Sequence, residues 1–169
     1  LVGSEMCIRD RAGEVGLSKT TEGLLTLSNV NLYTGGTTVN EGTLALGVDS
    51  ALAQDTVLTV NGGELALGTT AQRVAAVRLA GGVISGGSLT GTSYTVESGM
   101  ISSVLSGASV ALSKGGTGMV LLSGANVYGG GTTITEGTLA LGASERLLSA
   151  GSVTLAGGTF DLAGFRQTT

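Results

Sequence analysis

The sequence predicts an all-β protein, a parallel β-helix with about 20 residues per coil. Three observations carry that prediction. The first is a long internal repeat: a shift of 95 residues lays residues 19–74 over residues 114–169 without a gap, with 23 of the 56 aligned positions identical. Residues 27–47, LSNVNLYTGGTTVNEGTLALG, return as LSGANVYGGGTTITEGTLALG in residues 122–142. The second is a shorter period inside it. Gly42-Thr43-Leu44 returns as Gly63-Glu64-Leu65, and at the same spacing Gly137-Thr138-Leu139 returns as Gly158-Thr159-Phe160. The third is composition. Among 169 residues there are 31 glycines and no proline, tryptophan or histidine, and 41% are hydrophobic against 12% charged. The apolar residues are mostly Leu, Val and Ala, and Thr and Ser supply the polar bulk, a bias towards strand and tight turn.

The first eleven residues do not fit the pattern. Glu5-Met6-Cys7-Ile8-Arg9-Asp10 reads as the translation of a transposase adapter used in shotgun DNA sequencing, so residues 1–11 are set aside from the fold. Cys7, which a lipidation or ligand reading would use, goes with them and is the one cysteine in the chain. No disulfide framework and no Cys-based metal site then remain. The repeat already runs from Val15, because residues 15–19 match residues 110–114, and the β-helix is assigned to residues 12–169.

From there strand alternates with turn. Leu25 and Leu27 alternate with polar neighbours, and residues 29–36 form a turn-rich link. Thr37-Thr38-Val39 is a short strand, Asn40-Glu41-Gly42 breaks it, and Thr43-Leu44-Ala45-Leu46 resumes the alternation. Positions apolar in both copies mark the buried face: Val39/Ile134, Leu44/Leu139, Leu46/Leu141, Leu58/Val153, Val60/Leu155, Leu65/Phe160 and Leu67/Leu162. Within each run they stand two residues apart and so point the same way. Residues 81–101 continue the style with Gly81-Gly82-Val83-Ile84, Gly86-Gly87-Ser88-Leu89 and Gly99-Met100-Ile101. Residues 49–54 and 144–149 tolerate a single helical turn bulging from a coil, and residues 71–79 suit either a short helix or strand. Residues 12–169 make about seven or eight coils rising about 4.8 Å each, a rod about 35 Å long. Neither end carries a cap, and low solubility is expected of the segment expressed alone.

The pattern Gly-x-Leu-x-Leu-Ser-Gly-x-Asn-x-Tyr-x-Gly-Gly-Thr-Thr, followed by Glu-Gly-Thr-Leu-x-Leu-Gly, resembles the autotransporter-associated β-strand repeat of bacterial type V secreted passengers. Residues 118–142 follow it nearly throughout, and residues 23–47 depart at Asn29, where that pattern has Gly. The resemblance implies a right-handed parallel β-helix, secreted and displayed at the bacterial outer surface. Outer-membrane attachment would come only through a β-barrel translocator, whose strands of about ten alternating residues with aromatic girdles are not found here.

Chemistry is scarce. Without histidine there is no Ser-His-Asp or Cys-His arrangement and no His ligand for a metal. No Gly-Gly pair leads into the Asp spacing of a calcium loop. Glu41 and Glu136 recur beside Gly and are expected as solvated turn residues rather than a carboxylate ladder. Asn31 and Asn126 are expected in turns. Tyr33 and Tyr128 are expected to lie across a turn with the hydroxyl satisfied at the rim, with a sugar-stacking platform as the alternative. Gly35-Gly36-Thr37-Thr38 lacks the Lys and helix of a phosphate loop.

Outside the leading segment the basic residues are Lys19, Arg73, Arg78, Lys114, Arg146 and Arg166, scattered along the chain, with a net charge of −4. That balance argues against nucleic acid and anionic membrane as partners, and no apolar run approaches the ~18 residues of a transmembrane helix. No catalytic, cofactor or metal residue is assigned. The expectation is a non-enzymatic passenger stalk that presents or forms an adhesin, meeting a glycan or protein ligand or another copy of itself. The alternatives are a fragment of a β-helical carbohydrate-active enzyme of the polysaccharide lyase type, for which clustered acid and base would speak, and a lateral self-assembly module, for which regular Thr or Asn ladders would.

Overall fold

The computed structural model describes residues 6–8, 12, 13, 15–148 and 151–168. The described elements are strands, and their pairings are parallel. They wind into a β-solenoid of about eight turns.

Each turn crosses up to three faces. The first is an eight-stranded sheet: Leu17–Lys19, Thr37–Val39, Leu58–Val60, Ala76–Leu79, Ser93–Val96, Leu112–Lys114, Thr132–Ile134 and Val153–Leu155. The second has nine strands: Met6–Ile8, Leu24–Leu27, Thr43–Leu46, Glu64–Ala66, Val83–Ser85, Gly99–Ile101, Met119–Leu122, Thr138–Leu141 and Thr159–Asp161. The third is broken into a two-stranded piece, Ala12–Gly13 with Leu32–Tyr33, and a four-stranded piece, Ala71–Arg73, Ser88–Thr90, Val104–Gly107 and Val127–Tyr128. Of the leading segment expected to be foreign, residues 1–5 and 9–11 lie outside the described residues. Met6–Ile8 run beside Leu25, Thr26 and Leu27, and an open strand edge accepts an extended segment of almost any sequence through main-chain hydrogen bonds.

The long repeat has a structural meaning. On the first face the pairings run from Leu17 through Thr37, Leu58, Val77 and Tyr94 to Leu112. Those are five coil steps, and they span the 95 residues that separate the two copies. The shorter period is not constant. The step from Leu44 to its neighbour Leu65 takes more chain than the step from Ile84 to Ile101. Loops between faces absorb the difference while strand registers keep apolar residues stacked on apolar residues.

The core lies where the sequence places it. Val39, Leu44, Leu58, Val60, Leu65, Leu67, Ile134, Leu139 and Leu141 are all 0% exposed. The last coil departs from that. Leu155 and Leu162, which repeat Val60 and Leu67, are 56% and 38% exposed, and Val153 and Phe160 are only half-buried. The cause is stacking: Val60 is covered by Leu79 of the following coil, and no described coil follows Leu155. In a solenoid an apolar position is a core position only when the coil beyond it is present.

The two windows that tolerate a helical turn hold none among their described residues. Residues 49–54 form an irregular turn in which Ser50 takes φ of 53° and Ala51, Leu52 and Ala53 are buried in place of a third-face strand. Glu145 takes the same φ of 53°, and Leu147 is buried like Leu52; Ser149 lies outside the described residues. The coil dictates this outcome, because its interior takes up Ala51, Leu52, Ala53 and Leu147, which a helical turn bulging outward would withdraw from the core. Residues 71–79 resolve into the strands Ala71–Arg73 and Ala76–Leu79. The link at residues 29–36 contains one further short strand, Leu32–Tyr33.

Candidate functional site

Polar chemistry divides between devices sealed inside the stack and a bland outer surface. Inside, three devices recur in both copies of the repeat.

The first is a lysine staple. Lys114 is 0% exposed, and its Nζ donates to the main-chain oxygens of Gly115 at 2.6 Å, Gly116 at 2.8 Å and Glu136 at 3.1 Å. An ammonium has three protons, and here each has an acceptor. Lys19 repeats the arrangement with Thr21 and Glu41. Burial pulls the Lys114 ammonium below its ordinary pKa, and the Glu136 and Glu97 carboxylates partly restore it. The glycine of Glu-Gly-Thr makes room for the staple. Gly137 has φ of 66°, and a Cβ there would sit 2.7 Å from the Lys114 Nζ.

The second device explains the Tyr-x-Gly-Gly-Thr-Thr motif. Tyr33 and Tyr128 are both 2% exposed. They lie inside the coil rather than at its rim, so a sugar-stacking role is overturned. The Tyr128 hydroxyl pairs with Thr132 Oγ1 at 2.8 Å, and Tyr33 pairs likewise with Thr37. The first threonine of each pair faces inward to meet the phenol and the second faces out. Gly130 passes so close to the preceding coil that a Cβ would lie 2.7 Å from Ala111 N. Burial, with a smaller contribution from Tyr94, pushes the Tyr128 hydroxyl up to about 12, against the Thr132 hydrogen bond, which pulls it down. Tyr94, whose ring centroid is 5.9 Å away, is also raised by burial.

The third is an amide stitch that sequence reasoning missed. Asn31 Nδ2 donates to Asn29 O and, one coil on, to Ala51 O, both at 2.8 Å. Asn126 Nδ2 donates to Gly124 O and Arg146 O at 3.0 Å. The expected local turn bond is therefore present, and a cross-coil bond is added to it. Gln72 accepts from Leu52 N at 3.1 Å, and Gln167 accepts from Leu147 N at 2.9 Å. Gln72 and Gln167 are identical across the 95-residue repeat, and that recurrence was the available signal.

Outside, Glu41 and Glu136 are exposed turn residues five coils apart, as expected. Arg78 and Glu97 form an exposed ion pair at 2.7 Å, worth little in water. Among the described residues, no three Asp, Glu or Cys side chains gather where a metal could be held. The outward column of the first face reads Ser18, Thr38, Thr59, Arg78, Thr95, Ser113, Thr133 and Thr154, each beside the next. It is a row of hydroxyls interrupted by one charge.

The sequence model of a family described as the passenger-associated-transport-repeat matches residues 17–46 and 112–141. The chain carries two passenger repeats. This agrees with the resemblance to autotransporter passengers and implies a secreted, surface-exposed polypeptide. Each passenger repeat spans five strands, from Leu17–Lys19 to Thr43–Leu46 and from Leu112–Lys114 to Thr138–Leu141. The lysine staple and the Tyr–Thr pair lie wholly within it, so the repeat staples the start of one coil to the next. Comparisons with curated proteins and with solved structures found no match.

Proposed function

We propose that residues 15–168 work as a non-enzymatic stalk in the passenger of a secreted autotransporter, presenting or forming an adhesin at the bacterial cell surface. The observation that carries the reading is the pair of passenger repeats set five coils apart in one continuous stack. Its ionisable groups also suit a stalk, since the two lysines shared by the copies are spent on main-chain oxygens inside the coils. The partners on this reading are a surface glycan or protein, met at or beyond the stack. Attachment to the outer membrane belongs to a β-barrel elsewhere in the polypeptide.

The test is display of the complete open reading frame in a Gram-negative host. An antibody against this segment should label intact cells and lose its target when protease is added outside. Labelling only after the cells are opened would refute the surface role.

A second reading, lateral self-association through the first face, is favoured by the Ser/Thr column. A row of hydroxyls at strand spacing, whose one charge, Arg78, is paired with Glu97, can meet its own copy across a two-fold axis with little charge repulsion. Thr38→Lys with Thr133→Lys should abolish cell–cell clumping while leaving display intact; clumping that survives both removes this reading.

A further inference from the structure

We propose that Asn61-Gly62 is a self-modification site, at which the folded stack converts an asparagine into isoaspartate through a cyclic imide. Five asparagines occur in the chain, and four of them precede Val, Leu, Glu and Val. Only Asn61 precedes glycine, whose nitrogen can reach the neighbouring amide carbon without a side chain in the way.

The local geometry leaves both reacting groups accessible. Asn61 is exposed, in the bend between Leu58–Val60 and Glu64–Ala66. Its side-chain hydrogen bond, from Nδ2 to Asn40 Oδ1 at 2.8 Å, is exposed as well, so water competes for it. The Gly62 N–H shares Val39 O with the Asn61 N–H, and at 3.4 Å against 2.9 Å it is the weaker of the two bonds. Asn40 sits in the same kind of bend one coil earlier, where Asn40 N and Glu41 N share Lys19 O at 2.8 and 3.3 Å. There the Glu41 side chain crowds the attacking nitrogen, so Asn40 is a control built into the fold.

The bend requires the glycine but not the asparagine. A Cβ on Gly62 would lie 2.6 Å from Asn40 O, and on Gly81 and Gly157 it would meet Asn61 O at 2.7 Å and Thr135 O at 2.5 Å. Alanine stands before those two glycines, and the N–H groups of Ala80 and Ala156 bond Val60 O and Ile134 O as Asn61 N bonds Val39 O. The bend therefore forms without the reactive side chain.

In the reaction the Gly62 nitrogen bonds to Asn61 Cγ and the Cγ–Nδ2 bond breaks. The proton leaving Gly62 is matched by one gained at Nδ2, which departs as ammonia. Both groups belong to one chain, so the attack is intramolecular. Water then opens the imide at either carbonyl, to aspartate or to isoaspartate, with no change of oxidation state. Aspartate is tolerated, since Asn40 can turn its amide and donate to the new carboxylate. Isoaspartate carries the side-chain methylene into the main chain between Asn61 N and Gly62 N, so the two N–H groups can no longer meet Val39 O together.

The test ages the folded chain in neutral buffer and then maps it. Trypsin yields a peptide of residues 20–73, which holds Asn40 and Asn61. Isoaspartate is read in it by methyl transfer from S-adenosylmethionine with an isoaspartate methyltransferase, and placed by fragmentation. It should accumulate at residue 61, with residue 40 on the order of tenfold behind, and Asn61→Ala should remove the signal. The aged parent should unfold at lower urea than the fresh chain, while Asn61→Asp unfolds with the fresh chain. A native chain that stays unreacted while its isolated tryptic peptide reacts would overturn the proposal, as would equal reaction at residue 40. These readouts are independent of where the protein resides, so their failure leaves the stalk reading standing.

Discussion

The Nζ of Lys114 lies 3.1 Å from the main-chain oxygen of Glu136, 22 residues and one coil further along the stack. A residue type that ordinarily marks a solvated surface thereby joins two coils from within. Replacing it with methionine keeps the volume and takes the donor away from three part-buried carbonyl oxygens. Lys114→Met should cost about 2–4 kcal/mol in urea unfolding, whereas exposed Arg73→Met should stay within about 0.5 kcal/mol.

Gly137 is tied to the same staple. Its φ of 66° and the crowding of its missing Cβ predict that Gly137→Ala costs about 1–3 kcal/mol. Gly115, which has negative φ and one ordinary neighbour at 3.7 Å, should accept alanine with little change in the same assay.

The end of the stack separates sequence from context. Val60 and Leu155 occupy the same place in the repeat but differ from 0% to 56% in exposure. Val60→Ala should cost about 2–4 kcal/mol and Leu155→Ala under about 1 kcal/mol. Exposed Leu155 and Leu162 also predict a gain in soluble yield when both are changed to Thr, read as the fraction remaining after high-speed centrifugation.

Alkaline titration follows from the buried phenols. Tyr128 has an ordinary value of 10.0 and is held at about 12 in the folded chain. Its neutral form is therefore favoured by folding, and that contribution is complete below pH 10 and lost as pH rises through 12. The shift corresponds to about 2–3 kcal/mol. Stability by urea unfolding should fall between pH 10 and 12, less steeply in Tyr128→Phe. Lys114 acts in the opposite sense, because its lowered value means that the unfolded chain holds the extra proton there. A flat profile in the parent would contradict the burial of Tyr128.

Much of this architecture is legible in the sequence, and what is not has a common cause. The apolar pairs such as Leu44/Leu139 are readable because two-residue alternation reports the facing of a side chain directly. Tyr33 and Lys19 are not, since their partners are a threonine hydroxyl and main-chain oxygens, and main-chain oxygens have no sequence signature. Gln72 and Gln167 lie in stretches without alternation, so only their recurrence could single them out. Residues 29–36 read as a turn-rich link because Leu32–Tyr33, like Val127–Tyr128, is a two-residue strand, too short to show a period. The windows at residues 49–54 and 144–149 tolerate helix by composition, and the demand of the coil for inward apolar residues overrides that tolerance.

The central claim is that the 95-residue repeat equals five stacked coils of one stiff rod. It is tested most directly by spin labels at residues 38 and 133, introduced as cysteines in a Cys7→Ser background. Thr38 and Thr133 occupy one outward column, five pairing steps apart. Five steps of about 4.8 Å predict a narrow distance distribution centred at about 24 Å. A broad distribution, or one centred beyond about 35 Å on the same spacing, would contradict the stack.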